Sequence, residues 1–164
     1  MASFERQYEP VALALNHVSG DRRRRMHDAA DVFWRFFKDF GVSWVGFYTK
    51  VEDQDEMVLG PSRDSPACSP IAMHGACGMC YLRRRPIIVT DVHNLGEHYI
   101  ACDPRDRSEV LVPLFGDDGK CFGVLDVDSH QRNAFGEIDV IETRRIMEST
   151  GISWSAPHLP PLVL

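Results

Sequence analysis

The sequence predicts an α+β domain in which a central, mostly antiparallel sheet is flanked by helices. Apolar residues recur at three- and four-residue steps from Ser19 to Gly41 and again after Phe135, the stripe of an amphipathic helix. Between them lie β-branched and aromatic runs separated by short polar turns, which read as strands. The order helix, strands, helix, strands, helix fits helices packed on an antiparallel sheet.

The first helix carries Met26, Ala29, Ala30, Phe33, Phe36, Phe37 and Phe40 on one face, and Gly41 suits the position just past its end. Its opening arginines, Arg22 to Arg25, oppose the helix dipole, and the pattern alone offers no reason for them. "VSWVGFYTKV" and "EMVLG", separated by an acidic turn, read as a hairpin. "GACGMCYLRRRP" reads as a short helix ended by Pro86, with Arg83 to Arg85 at the terminus that favours positive charge. "IIVTDV" is a further strand. "EVLVPLF" and "CFGVLDVDS" are two more, and the Asp-Gly turn in "GDDGK" pairs them antiparallel. The last helix places Phe135, Ile138, Ile141, Ile146 and Met147 at helical spacing, with Gly151 as its stop. The proline-rich tail "WSAPHLPPLVL" is expected to be irregular. The chain thus divides into an N-terminal segment 1–18, a domain 19–151 and a tail 152–164.

A length of 164 residues suits one core and not two. With 44% apolar and 26% charged residues, disorder and membrane residence lack support, and no apolar run approaches the ~20 residues of a bilayer span. The start, "MASFERQYEPVALAL", lacks the basic, apolar and small-residue order of an export signal, so a cytoplasmic location is expected. A net charge of -6 argues against nucleic-acid binding, and the two arginine runs read as solvated helix ends. The cysteines, Cys68, Cys77, Cys80, Cys102 and Cys121, form an odd set that points to thiols used for redox chemistry or metal binding.

Along Cys121 to Ser129, Phe122, Val124, Asp126 and Asp128 alternate with Gly123, Leu125 and Val127, so both faces begin apolar, as in a central strand. Two carboxylates on a covered face require a cation or donors opposite them. The alternative is a strand that frays into solvent, its acids opening a loop. Glu109, at the mouth of the preceding strand, brings a third acid to the same end of the sheet. Trp44, Gly46 and Tyr48 share a face. Either the missing side chain at Gly46 leaves a gap for a small group between aromatic walls, or both rings are core.

Cys102 precedes Asp103, Pro104 and Asp106, which resemble a helix start. The exposed N–H groups of such a start, with Arg105 and Arg107, favour the thiolate, while Asp103 and Asp106 oppose it. The pairs Cys77/Cys80 and His74/Cys77 read as a dithiol or as part of a zinc site with Cys68, but no second pair closes a four-ligand cage. His93 and His98 read as surface or supporting residues, and Cys121 as a buried apolar one.

Together, "SWVGFY", "VLGP", "PAC", "GACG", "DVH", "HYIACD", "RSEVLVPL" and "GVLDVDS" resemble the small stand-alone GAF-domain proteins that reduce free methionine-(R)-sulfoxide. The likeness runs from about Val42 to Phe135 in the family's order and near-family spacing. It implies a single GAF domain, usually a homodimer, that needs no cofactor and no metal. By the resemblance Cys102 takes the place of the nucleophile, and Cys68 and Cys77 take the places of the cysteines that resolve and recycle it. Glu109, Asp126 and Asp128 match the substrate-binding acids, and Trp44 and Tyr48 the aromatic wall. The implied chemistry is attack of a thiolate on the sulfoxide sulfur, proton donation by an acid, a sulfenic acid on Cys102, and a disulfide reduced by thioredoxin or a similar dithiol.

This sequence departs from the family pattern on the resolving side. The Cys68 to Cys77 loop is about one residue shorter and the His93 to Cys102 stretch about one longer, "AMHGACG" replaces the usual glycine-rich approach, and Cys80 is extra. Which of Cys68, Cys77 or Cys80 partners Cys102 therefore stays open. The competing reading is a GAF module that binds a small ligand or senses oxidants without turnover.

Overall fold

The computed structural model describes residues 4–164; residues 1–3 of the N-terminal segment lie outside the described residues. In chain order the elements are α1 (Tyr8–Ala14), α2 (Arg22–Phe37), β1 (Trp44–Lys50), β2 (Glu56–Arg63), β3 (Ile71–Ala72), α3 (Ala76–Arg83), β4 (Ile87–Val89), a 3₁₀ segment (Val92–His98), β5 (Ser108–Phe115), β6 (Cys121–Ser129), α4 (Glu137–Ser149) and β7 (Leu162–Val163). The strands form one sheet in the order β3-β2-β1-β6-β5-β4-β7. Every pairing is antiparallel except that of β4 with β7. This is the α+β architecture that the sequence predicts.

Strand alternation divides the buried residues into two cores. Val45, Phe47, Leu125 and Val127 meet Phe33, Phe37, Ile146 and Met147 on the side of the long helices. Trp44, Tyr48, Leu111 and Val124 pack on the other side with Cys77 and Cys80 of α3. β6 is the central strand, covered on both faces. Phe122 departs from the expected alternation and packs with the helix-side core. The register explains it: Leu114 pairs with Gly123 and Phe115 with Cys121, leaving Phe122 as the extra residue of a β-bulge.

Two expected helix faces also shift. Phe36 and Phe40 on the first helical pattern, and Ile138 and Ile141 on the last, are exposed. Helix α2 ends at Phe37, and a turn closed by Val42 N–H on the Phe37 carbonyl carries Phe40 off the core. In α4 Ile146 and Met147 are buried as expected, but its first turns bury Asp139, Val140 and Thr143 in place of Ile138 and Ile141.

Three of the four arginines that open α2 find separate uses. Arg22 lies over the Phe122 ring at 4.0 Å, and Arg24 pairs with Asp28 at 3.3 Å. Arg25 donates to the carbonyls of Gly20 at 3.0 Å and Thr150 at 3.2 Å, the latter one of the orphan carbonyls at the end of α4.

Both described ends, from Arg6 and to Leu164, join the fold. The short helix α1 buries Tyr8 and Val11, and Arg6 forms a buried ion pair with Asp139 at 2.9 Å. The tail adds the strand β7, where irregular chain is expected. Leu162 N–H donates to the Pro86 carbonyl and Leu164 N–H to that of Ile88, each at 2.9 Å. Arg85 and Arg144 hold the tail from outside by donating to the Pro160 and Leu159 carbonyls.

Gly46 serves close packing and not an open gap. A Cβ there meets the Trp44 indole and lies 2.9 Å from the Ser62 Cβ, so the indole folds down onto its own strand. Gly46→Ala is therefore expected to displace Trp44 and lower stability by ~1–3 kcal/mol through overpacking. Urea unfolding followed by tryptophan emission measures both effects; an unchanged midpoint and spectrum contradict the packing argument.

Candidate active site

Register across three neighbouring strands assembles the site. Glu109 on β5 pairs with Asp128 on β6, which on its other side pairs with Trp44 on β1. In the next row Leu111, Asp126 and Gly46 align. Residues two apart on a strand share a face, so the three acids converge, and their carboxylate oxygens lie within 4.8 Å of one another. The Trp44 and Tyr48 rings stand beside them with centroids 6.0 Å apart.

These groups open onto a cavity of about 300 Å³. Trp44, Tyr48, Cys77, Cys102, Glu109, Asp126 and Asp128 all line it. Cys68 does not reach the cavity wall but is bonded to Cys102. The volume is at the lower end of ordinary small-molecule sites, ~300–1,000 Å³, and fits one small guest.

The acids face the cavity, not a solvated loop. Burial, followed by the neighbouring carboxylates, holds Glu109 and Asp128 well above the usual carboxylate range. Burial pushes Asp126 up to about 7. Its Oδ2 accepts from the Cys77 thiol at 3.4 Å, while its buried Oδ1 has no partner among the described residues. An unpaired buried acceptor costs ~1–3 kcal/mol. The site thus favours a guest that brings N–H donors and positive charge.

The cysteines divide by position. Cys102 and Cys68 form a disulfide with Cα atoms 5.5 Å apart, which answers the question of pairing that the sequence leaves open. Cys77, Cys80 and Cys121 are free and buried, and burial pushes all three thiols up. The aromatic residues also hold the loop that carries Cys68. Trp44 Nε1 donates to the Ser65 carbonyl at 3.1 Å, and the Tyr48 hydroxyl to the Cys68 carbonyl at 2.8 Å. A zinc set of Cys68, His74 and Cys77 is not assembled. The groups close enough to share a cation are instead Glu109, Asp126 and Asp128, and Asp103, Asp106 and His130. His98 lines the cavity, with its Nδ1 2.7 Å from the His74 carbonyl, whereas His93 pairs with Asp91 at 2.8 Å.

No helix begins after Cys102. Residues 103–106 form a turn in which Asp106 N–H donates to the Asp103 carbonyl at 3.1 Å. The Asp103 carboxylate folds back onto Arg105, accepting from its backbone N–H at 2.9 Å and from its guanidinium at 3.0 and 2.9 Å. An acid before proline serves a side-chain turn as readily as a helix cap, and here the chain enters β5 at Ser108 before a helix can grow. The helix-dipole argument for a Cys102 thiolate therefore falls.

The sequence pattern does not single out Asp106 as a site residue, yet it lines the cavity, accepts from Ser43 Oγ at 3.2 Å and lies 3.6 Å from His130 Nε2. Burial, then the Asp103 charge, raise it to about 6. The available signal was an additional acid between Cys102 and Glu109, which the expected helix start absorbed.

The GAF domain model matches residues 22–154. Protein YtsP of Bacillus subtilis is 42% identical over 137 residues, 82% of this chain and 83% of that protein. A free methionine-R-sulfoxide reductase of Saccharomyces cerevisiae is 34% identical over 118 residues, 70% of this chain and 65% of that protein. Among solved structures, the free methionine-R-sulfoxide reductase from Neisseria meningitidis in complex with its substrate superposes with a TM-score of 0.79 at 30% identity, covering 92% of this chain and 93% of that one. The chain belongs to the GAF domain family, and within it is similar to proteins named free methionine-R-sulfoxide reductase.

Proposed function

We propose that this protein reduces free methionine-(R)-sulfoxide, with Cys102 as nucleophile and Cys68 as the thiol that resolves it. The observation that carries the reading is the single cavity onto which Cys102 and the Glu109, Asp126 and Asp128 carboxylates open together. The Cys102 sulfur attacks the sulfoxide sulfur while an acid protonates the oxygen. The S–O bond breaks, the oxygen passes to Cys102 as a sulfenic acid, and methionine leaves. The Cys68 thiol then displaces that oxygen as water and forms the Cys68–Cys102 disulfide. Thioredoxin or a similar dithiol returns the pair to thiols. Cys77 stands by as the recycling thiol, its proton shared with Asp126. A disulfide that forms and breaks in each cycle is compatible with a reducing cytoplasm, which we include in the proposal along with a homodimer.

The trio explains the choice of a free amino acid. The α-ammonium group supplies the donors that Asp126 Oδ1 lacks, whereas a peptide-linked methionine leaves the carboxylates unpaired. A thioredoxin-coupled assay of NADPH loss tests this with free and N-acetylated methionine-(R)-sulfoxide. The expected result is turnover of the free form with kcat/KM higher by ~10² or more. Equal rates remove the ammonium argument. Turnover of neither substrate removes the reductase and favours the binding module.

A further inference from the structure

We propose that Glu109, Asp126 and Asp128 also form a site for one hard divalent cation, which shuts the free amino acid out of the cavity while it is bound. The inference deepens the reductase reading, because the ion and the substrate's ammonium group claim the same carboxylates.

Strand register holds the three carboxylates in place. Glu109 on β5 pairs with Asp128 on β6, and Asp126 lies two residues along the same face. Their oxygens lie within 4.8 Å of one another. Hard cations take oxygen ligands at ~2.0–2.6 Å, so ligands on opposite sides of one ion stand about 4–5 Å apart. Among the described residues no Lys, Arg or His pairs with any of the three acids. Asp126 gives an independent sign of a ligand. It is 6% exposed and lines the cavity, yet its buried Oδ1 has no hydrogen-bond partner among the described residues. The neighbouring group of Asp103, Asp106 and His130 differs, because its charge is met from within. Arg105 holds Asp103 by two guanidinium hydrogen bonds, and His130 Nε2 stands 3.3 Å from Asp103 and 3.6 Å from Asp106.

The donor set decides the class of ion. Three carboxylates, with water in a cavity of about 300 Å³, make an all-oxygen shell, which suits the magnesium, manganese and calcium class. Cys77 Sγ lies 3.4 Å from Asp126 Oδ2, but burial pushes its thiol up, so it supplies no thiolate. Burial raises the three acids as well, and an ion enters by displacing the protons they hold. An ammonium group brings one charge to three carboxylates. A divalent ion brings two and can touch all three at once.

The test uses Mn²⁺ as the probe, with the protein in its disulfide form so that Cys68 and Cys102 offer no thiol. Loss of the free Mn²⁺ electron paramagnetic resonance signal counts the bound ion. About one ion per chain is expected, half-saturated below about 1 mM at pH 8. Asp126→Asn and Asp128→Asn should each weaken binding about tenfold or more, while Asp103→Asn leaves it within about twofold. Free methionine-(R)-sulfoxide should release the ion, with glycine as the control for chelation in solution. In the thioredoxin-coupled assay, Mn²⁺ at about ten times half-saturation should raise KM about tenfold and leave kcat within about twofold.

No binding below about 1 mM overturns the site. Binding that survives both Asn variants of the trio, or that Asp103→Asn removes, overturns it too by placing the ion elsewhere. An ion that saturating sulfoxide does not release overturns the exclusion, as does a fall in kcat at constant KM. Release by the sulfoxide with no methionine formed removes the reductase reading and upholds the site. Should the Asn variants prove insoluble, the wild-type protein decides the matter: release of the ion by the sulfoxide and not by glycine supports the site, and indifference to the sulfoxide overturns it.

Discussion

Cys102→Ser is expected to abolish thioredoxin-coupled turnover of free methionine-(R)-sulfoxide, by about 10³-fold or more, while the protein stays folded. The serine hydroxyl is far less nucleophilic than a thiol at neutral pH and is a poor acceptor of the sulfoxide oxygen. The site makes the loss specific. Cys102 lines the cavity shared with the acid trio, whereas Cys77, the other cysteine on that wall, is buried with its thiol committed to Asp126 and its pKa pushed up. The partner variant gives the complementary result. Cys68→Ser leaves the nucleophile in place but removes the sulfur bonded to it, so pre-reduced protein should form about one methionine per chain and then stall as a sulfenic acid. A dimedone adduct on Cys102, read by mass spectrometry, reports that intermediate. Equal steady-state rates in wild type and Cys102→Ser remove the assigned nucleophile. Full turnover in Cys68→Ser moves the resolving role to Cys77 or Cys80.

The largest effect on stability is expected at Asp139, far from the cavity. Its Oδ1 takes Arg6 Nη1 at 2.9 Å and the Tyr8 hydroxyl at 2.6 Å, and its Oδ2 takes the Gly136 N–H at the start of α4 at 2.8 Å. The Arg6 and Asp139 side chains are 1% and 5% exposed, and Arg6 lies 4.5 Å from the Phe135 ring centroid. Asp139→Ala leaves a buried guanidinium without its counter-charge, a phenol without its acceptor and a helix without its cap. Breaking a buried pair from one side costs ~3–5 kcal/mol. For a chain of this length that lowers Tm by roughly 6–20 °C. Asp139→Asn should fall between, because the amide oxygen can still accept while Arg6 stays uncompensated. Calorimetry of the three proteins checks the order. An Ala variant that melts within about 2 °C of wild type shows that the N-terminal segment contributes little to the fold.

Much of the architecture was legible because it is local. The alternation in "CFGVLDVDS", the Asp-Gly turn before it and the aromatic strand from Trp44 each reflect which side of one strand is covered, and they pointed to a central β6 while leaving open whether its acids lie on a covered face or begin a loop. The errors arose where local signals have two meanings. Asp103 and Pro104 are as compatible with a side-chain turn as with a helix cap. Helix α1 spans seven residues, too few to display a period, and is held by the non-local Arg6–Asp139 pair. Strand β7 is a two-residue parallel addition at a sheet edge, secured by hydrogen bonds to β4 that no pattern within the tail encodes.

The candidate site divides in the same way. Residue types and their order along the chain were enough to establish the class of fold, to mark a thiol, three acids and two aromatic residues, and to raise the family resemblance, because each depends on neighbours within a few positions. Folding alone decides that Glu109 stands opposite Asp128, that Cys68 and not Cys77 or Cys80 reaches Cys102, and that Asp106 lines the cavity with His130 3.6 Å from it. These are distances between segments about 20 to 35 residues apart, set by strand register and loop packing, and one residue of slip in β6 would turn Asp126 and Asp128 to the opposite face of the sheet.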